Sequence, residues 1–529
     1  MNRIDVKDSF KTFKDVFFSS KKYLIVYFVL TSFLFFTLLS KENLLYPKSE
    51  ILMFCLVIFL GVFCIVYYFM HKSDEELYKV AFVVILCFGI LCCIIVPISD
   101  VSDEWEHFAR AEITSQGVLF PHWTGEDMNL TSSWKDGKFV KGAGYETIRS
   151  TFFFWGKNRE KTVFETPHDT KKINYGTIII PSAFEQNPFW GYIPQAIGIF
   201  LAKILDLNQI WMMWLGRIFN LLLYAVLISL AVKKTPYLKI PLIAVACVPI
   251  SIYQAASVSI DSMIFGLGIL AVAYYIFMSQ ADRGSLDNKE IVIYSVICLL
   301  LGLCKLPYLA FIFLLLFVPQ DNFKSKNSLP LCLLCIFCLS VVGLMWSSYS
   351  EPTLMHSWRA RNTEVNSTLQ ANYIVNHPSS ILTFFKQIFS GDIVFILDGW
   401  FKFFGAAHQP HYSEEYGLIT RLIQIFLSFV LLAYPTTKKF DSKTKWGALF
   451  VVLVIYVGTC VVQWMSWANV GQIKLGISLR YFIPLFALLP IIFNFNVFSG
   501  KNEKFDNCAM IFVICFLSAL VLRFVTRYY

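Results

Sequence analysis

The sequence predicts an all-α polytopic integral membrane protein, and three observations carry that prediction. Hydrophobic residues make up 57% of the 529 and charged residues only 15%, with a mean hydropathy of +0.59, too apolar for a soluble multidomain chain. Apolar runs close to the roughly 20 residues needed to cross a bilayer recur along the chain. The Lys and Arg behind the net charge of +9 sit in short loops between those runs, where they set topology. No RNA- or DNA-binding pattern accompanies them, so the expected surroundings are a lipid bilayer and no nucleic acid.

The N-terminus carries Arg3, Lys7, Lys11, Lys14, Lys21 and Lys22 ahead of a run that ends at Leu39. No small-residue cleavage site follows it, so the run reads as a retained helix and not a cleaved leader. Further runs lie near 50–70, 79–97, 209–232, 238–256 and 259–279. A double-length stretch covers 290–319 and is interrupted by Lys305 and Pro307. Runs near 330–348, 416–434, 446–464, 479–496 and 508–524 complete the set. With the double stretch counted twice, the expectation is about 13 transmembrane helices.

With a cytoplasmic N-terminus, Lys233-Lys234, Lys324 and Lys326, Lys438-Lys439 with Lys443 and Lys445, and Lys501 with Lys504 all fall inside. The chain then divides into residues 1–97 (cytoplasmic segment and three helices), 98–208 (first extracytoplasmic loop), 209–348 (central helices), 349–415 (second extracytoplasmic loop) and 416–529 (C-terminal helices). Trp123, Trp134, Trp155 and Trp190 in the first outer loop, and Trp358 and Trp400 in the second, make these loops too aromatic for a solvated coil. Residues 189–204 form an amphipathic stretch. Letting it span would turn Lys233-Lys234 outward, so it is expected as an interfacial helix on the outer face, with 380–405 as another. No internal repeat of fixed period is present.

The 14 cysteines fall in or beside apolar runs, which excludes a disulfide framework. Cys332, Cys335 and Cys338 share a helix face, but no His or carboxylate stands beside them to complete a metal set. Nothing in the sequence calls for a cofactor. A divalent metal is left open and is not indicated.

Chemistry concentrates in Ser102-Asp103-Glu104-Trp105-Glu106-His107-Phe108-Ala109-Arg110, where an apolar run meets the longest polar stretch. Ser102 as N-cap with Asp103 and Glu104 in the first turn would account for two acids through the helix dipole. It would not account for His107 and Arg110, which share a helix face with Asp103. A carboxylate, an imidazole and a guanidinium on one face suit general-base work on a hydroxyl. Other charges stand where a bilayer penalises them. Asp261 lies between two apolar runs, with a polar turn as its simplest reading. Arg217 sits about two turns inside its helix, within snorkelling reach of the headgroups. Lys305 breaks the double stretch and calls for a partner inside the bundle. Lys474 and Arg480 with Tyr481 face outward against the charge bias, as anion ligands would. An outward carboxylate with several cations at the same depth suggests a phosphate attached to a lipid and carrying something polar.

From Ile98 to Pro484 the chain resembles a family of predicted bacterial membrane proteins, long catalogued as a domain of unknown function, that is grouped with the GT-C glycosyltransferases. The resemblance rests on Asp103-Glu104 with His107-Phe108 and Arg110-Ala111, and on Tyr192-x-Pro-Gln-Ala-x-Gly198. It continues through Gly216-Arg217 with Asn220, Asp261, Lys305-Leu306-Pro307-Tyr308, and Arg480-Tyr481-Phe482-x-Pro484. Ser102 departs from the usual Pro before the acidic pair. The resemblance implies a GT-C-like bundle with outer-face interfacial helices and an extracytoplasmic active site in a bacterial cytoplasmic membrane. It also implies a polyprenyl-phosphate sugar donor and a cell-surface glycan or cell-wall polymer as acceptor, with inverting transfer. Asp103 would be the base, Glu104 and His107 would position it or the acceptor, and Arg110, Arg217, Asp261, Lys305, Lys474, Arg480 and Tyr481 would bind substrate. The competing readings are a lipid-linked polysaccharide polymerase or ligase and a polyprenyl-linked glycan transporter. Transporters place polar groups at the midplane and need little outer mass.

Overall fold

The computed structural model describes residues 6–39, 47–98, 100–121, 148–149, 170–175, 177–178, 184–355, 365–398, 417–436, 439–493, 500 and 502–528. Trp123, Trp134, Trp155, Trp358 and Trp400, together with Lys438 and Lys501, lie outside the described residues.

In chain order the helices are α1 (Val6–Leu39), α2 (Pro47–Met70), α3 (Leu77–Ile95), α4 (Glu104–Ser115), α5 (Ile193–Ile204), α6 (Gln209–Lys234), α7 (Lys239–Cys247), α8 (Pro249–Ala255), α9 (Asp261–Ser279) and α10 (Asn288–Cys304). A 3₁₀ segment, Leu306–Phe317, separates α10 from α11 (Ser328–Met355). The chain continues through α12 (Ser367–Asn376), α13 (Ser379–Gln387), α14 (Ile393–Asp398), α15 (Gly417–Leu432), α16 (Ser442–Ser466), α17 (Ile483–Phe486), α18 (Leu489–Ile492) and α19 (Glu503–Tyr528). Apart from these helices, Ile148–Arg149 and Thr177–Ile178 form a two-residue antiparallel ladder.

Among the described residues, 8 helices are long and apolar enough to cross a membrane: Val16–Leu39, Ser49–Met70, Leu77–Ile95, Gln209–Lys234, Asp261–Ser279, Ser328–Glu351, Ser442–Ser466 and Glu503–Thr526. The expected run at 238–256 and the described part of that at 479–496 do not form single straight helices, while the double stretch 290–319 divides at Lys305–Pro307, where its sequence is interrupted; proline is the common cause. Pro249 opens α8 and holds Val248 extended (φ −65°, ψ 153°), because its ring disfavours the helical region for the residue before it. Ser251 Oγ donates to Val245 O and Tyr224 Oη to Ala246 O, both at 2.8 Å, so the carbonyls freed by the break are satisfied inside protein. Pro307 opens the 3₁₀ segment after an extended Lys305 (φ −155°, ψ 101°). Pro484 and Pro490 likewise start α17 and α18.

The stretch 189–204 forms a 3₁₀ turn, Phe189–Tyr192, that runs into α5. At about 1.5 Å per residue α5 is about 18 Å long, too short to cross a hydrocarbon core of about 30 Å. Ile193, Ile197, Phe200 and Ile204 form an exposed apolar stripe on one face, while Gln195, Ala196, Ile199 and Ala202 are buried on the other. Gly198 lets α5 lie directly on α6, where a Cβ would stand 2.3 Å from Leu215 O. The second amphipathic stretch is broken into α13, a π-helical turn at Ile388–Asp392 and α14. Its last part, 399–405, lies outside the described residues.

Candidate functional site

The acidic segment begins differently from the sequence expectation. Asp103, not Ser102, is the N-cap of α4, and its side chain makes no capping hydrogen bond. Its backbone is left-handed (φ 64°, ψ 11°), a conformation Asp tolerates better than most residues through its short polar side chain. This aims the carboxylate away from the helix. Arg480 Nη2 donates to Asp103 Oδ2 at 2.7 Å and Arg480 Nη1 to Ser102 O at 3.3 Å. Arg480 Nε also lies 3.2 Å from Asp261 Oδ2. The guanidinium is therefore clasped between two carboxylates, with 4% of the residue exposed.

Lys305 completes the cluster. Its Nζ stands 3.2 Å from the centre of the Tyr481 ring, within electrostatic reach of Asp261 and Arg480. No hydrogen-bond acceptor meets that ammonium among the described residues. Tyr308 Oη donates to the Tyr481 carbonyl, which fixes the ring as the floor beneath Lys305. Cation–π contact offsets part of the cost of removing an ammonium from water, by about 2 kcal/mol when desolvated, but supplies no acceptor. Asp103 and Asp261 against Lys305 and Arg480 leave the cluster without net charge.

Helix α6 is the frame behind this cluster. Arg217 is fully buried and directs every N–H into protein. Nε and Nη2 grip Glu104 Oε1 and Oε2 at 2.8 and 2.6 Å. Nη1 donates to Cys93 O and Val96 O at 3.0 and 2.6 Å, and Nη2 also to Pro97 O at 3.1 Å. One guanidinium thus ties the unsatisfied carbonyls ending α3 to the first residue of α4. Asn220, three residues on and on the same face, donates through Nδ2 to Ser257 O and Ser259 O at 2.7 and 3.0 Å, and accepts from Ser262 Oγ at 2.6 Å. That fixes the turn carrying Asp261. The sequence reading offered Arg217 to a substrate phosphate. The structure uses all its donors internally, so its part is to position the Asp103–Glu104 segment.

His107 and Arg110 build a neighbouring network. Asp103 precedes the helix, so the shared helical face expected for the three residues does not form. His107 Nδ1 is 2.7 Å from Tyr192 Oη, and the imidazole stacks on Phe184 at 4.1 Å. Burial raises Tyr192 well above its ordinary value, so it remains a phenol. Asn187 Nδ2 donates to its oxygen at 2.9 Å, so the phenol joins the imidazole to the carboxamide. Arg110 donates to Thr114 Oγ1, Leu119 O and Asn187 O at 2.7, 2.9 and 3.2 Å, with Glu185 Oε2 3.8 Å from its Nε. Burial lowers the Arg110 guanidinium from its ordinary value, and Glu185 opposes the shift. Lys474 is exposed and makes no contact with the cluster among the described residues.

Tyr192 and Asn220 were legible only as matched positions in the resemblance, and Glu185 and Phe184 carried no sequence signal. Among the described residues, no group of three His, Cys, Asp or Glu side chains is arranged to hold a metal.

The fold and this cluster define a polytopic helical membrane protein with a charge-balanced ionisable site where membrane-spanning helices meet polar loops. The chain belongs to the family described as "Predicted membrane protein (DUF2142)", whose model matches residues 86–489 and so contains every residue of the cluster. No curated protein matches the chain, and no solved structure does.

Proposed function

We propose that this protein is a GT-C-type membrane glycosyltransferase. It would move a sugar from a polyprenyl-phosphate donor to a cell-surface glycan or cell-wall polymer on the extracytoplasmic face of a bacterial cytoplasmic membrane, with inversion. The observation that carries the reading is the Lys305 ammonium, left without an acceptor beside Arg480, Asp103 and Asp261. A phosphate oxygen is the acceptor that position lacks. The reading keeps about 13 crossings by counting five further apolar segments with the eight long helices: 239–255, 288–304, 306–317, 417–432 and 479–492.

In the proposed reaction the lipid phosphate docks on Lys305 and draws Arg480 toward itself, releasing Asp103 from its guanidinium partner. The acceptor hydroxyl attacks the anomeric carbon and gives its proton to Asp103. The bond from that carbon to the phosphate oxygen breaks, and the departing charge is neutralised by Lys305 and Arg480, where electrostatic preorganisation counts most. Asp261 keeps Arg480 at the site, while Arg217 and Glu104 hold Asp103 in place.

The test pairs topology with turnover. Single cysteines replacing Lys138, which lies outside the described residues, and Asn366 in a cysteine-free background are expected to react with an impermeant maleimide on intact cells. Purified protein is expected to release polyprenyl phosphate from a synthetic polyprenyl-phosphate sugar only when acceptor glycan is present. Labelling only after permeabilisation would refute the orientation. Movement of intact donor between leaflets without cleavage would favour a transporter.

A further inference from the structure

The stretch Tyr192–Gly198 stands out in the sequence, yet the proposed reaction leaves one of its residues without a part. Gln195 lies on the inner face of α5 and is fully buried. Its Nε2 donates to Gly191 O, Val258 O and Ser259 O at 3.1, 3.4 and 3.4 Å. Those three carbonyls fix which way the carboxamide points, since the reversed amide would set its oxygen against all of them. Oε1 consequently faces the other way and meets no donor among the described residues. A residue needed only to fill the space between helix and turn would serve better as hydrocarbon, without an orphaned acceptor.

Val258 and Ser259 belong to the turn between α8 and α9, and α9 begins at Asp261. Three helices hold this turn. From α6, Asn220 Nδ2 donates to Ser257 O and Ser259 O. From α4, Glu104 Oε1 accepts from Val258 N at 3.3 Å. From α5 comes Gln195, the one donor to Val258 O among the described residues. Inside the turn, Ser259 N donates to Ser257 Oγ at 3.1 Å and Asp261 N to Ser259 Oγ at 3.2 Å, so a shift at Val258–Ser259 reaches Asp261 directly. Gly191 lets the chain entering α5 come this close: a Cβ there would stand 2.5 Å from Ile260 Cδ1.

The position of Asp261 governs how Arg480 is shared. Asp261 Oδ2 lies 3.2 Å from Arg480 Nε, while Arg480 Nη2 holds Asp103. Moving Asp261 away by about 1 Å removes about a quarter of its attraction, because the energy falls as the inverse of distance, and leaves Arg480 more firmly on Asp103. We propose that Gln195 is a positioning residue, which clamps the 257–260 turn so that Asp261 competes with Asp103 for the Arg480 guanidinium. The clamp stands on geometry alone, and its consequence for turnover rests on the glycosyltransferase reading.

The test is hydrogen–deuterium exchange on the full chain in nanodiscs. It is read at the turn amides of Val258, Ser259 and Asp261, and at the Tyr481 amide, which follows Arg480 and donates to Ser478 O at 3.0 Å. Gln195→Met, of similar length but without a donor, is expected to speed exchange at least about fivefold at both places. Ile199→Ala, which opens a cavity on the same buried face of α5, should lower the melting temperature and leave both within about twofold. In an Asp261→Asn background, Gln195→Met should still free the turn amides but add less than about twofold at Tyr481, because the charge that carries the effect is gone. Unchanged exchange at the turn, a faster turn with Tyr481 unaffected, the same response in Ile199→Ala, or a full gain at Tyr481 in the Asp261→Asn background would overturn the clamp. Gln195→Asn, one methylene shorter, is read in the same way should the Met variant fail to fold. With donor and acceptor supplied, kcat is expected about tenfold lower in Gln195→Met with the donor KM within about twofold. The expected exchange pattern in a protein that never cleaves donor would sink the transferase reading and leave the clamp standing. A working transferase with full kcat in Gln195→Met would sink the positioning role instead.

Discussion

Replacing Asp103 by Asn separates the two roles this residue could have. Asp103 makes no side-chain cap, so losing its charge removes no capping interaction. Asn also tolerates the left-handed backbone, so φ 64° adds little strain. The 2.7 Å bond from Arg480 becomes a neutral-acceptor bond, while Arg480 keeps Asp261 and the Ser102 carbonyl. A cost of about 1 kcal/mol in stability is expected. A proton acceptor removed from the reaction should lower transfer at least about a hundredfold, or about 2.7 kcal/mol of transition-state stabilisation. The measurement is release of polyprenyl phosphate and sugar incorporation into acceptor by purified variant, beside its thermal unfolding in detergent. Asp103→Ala is the control: equally inactive, and less stable than Asp103→Asn by a further 1 to 2 kcal/mol or so, because Ala lacks the local hydrogen bonding that eases the left-handed region. Near-normal turnover in Asp103→Asn would refute the base assignment, and loss confined to Glu104→Gln with unfolding unchanged would move the base to Glu104.

Three further outcomes follow from the geometry. Lys305→Met should keep its fold, losing the contact with Tyr481 and the attraction of Asp261, while donor use falls about ten- to a hundredfold, the equivalent of a charged hydrogen bond of about 1.5 to 3 kcal/mol; unchanged donor kinetics would remove Lys305 from the donor site. Arg217→Lys should destabilise the protein by about 3 to 5 kcal/mol, because a single ammonium cannot replace the bidentate grip on Glu104 and the carbonyls of Cys93, Val96 and Pro97 in a buried site, and a melting temperature within a degree of the parent would contradict the positioning role. Gly198→Ala should lower the melting temperature as well, since its Cβ would meet Leu215 O at 2.3 Å and force α5 off α6; an unaltered melting curve would show that the two helices can separate without cost.

Membrane character and the helical class were readable in the chain itself. Each depends on local composition: the transfer cost of a segment is a sum over its own side chains, so a run of some 20 apolar residues declares itself without reference to the fold. The lip at Ser102–Arg110 announced itself in the same way, by ionisable residues following directly on an apolar run. The prolines at 249, 307, 484 and 490 were visible too. What they did to the runs at 238–256 and 479–496 was not, because a broken helix survives at bilayer depth only where surrounding protein takes up its freed carbonyls, as Tyr224 and Ser251 do here. The pairing of charges lay further still from local pattern. Helical spacing placed Asp103 with His107 and Arg110, yet the left-handed turn at Asp103 directs its carboxylate to Arg480, 377 residues away. Arg217, on sequence an anion ligand, is consumed by Glu104 at a separation of 113 residues, while the Lys305 ammonium in the cluster meets a ring face and no acceptor among the described residues. A buried charge takes whichever partner the packed helices bring within 3 Å or so, since leaving it unpaired costs several kcal/mol. That choice is made by tertiary proximity, which the order of residues along the chain does not encode in any local period.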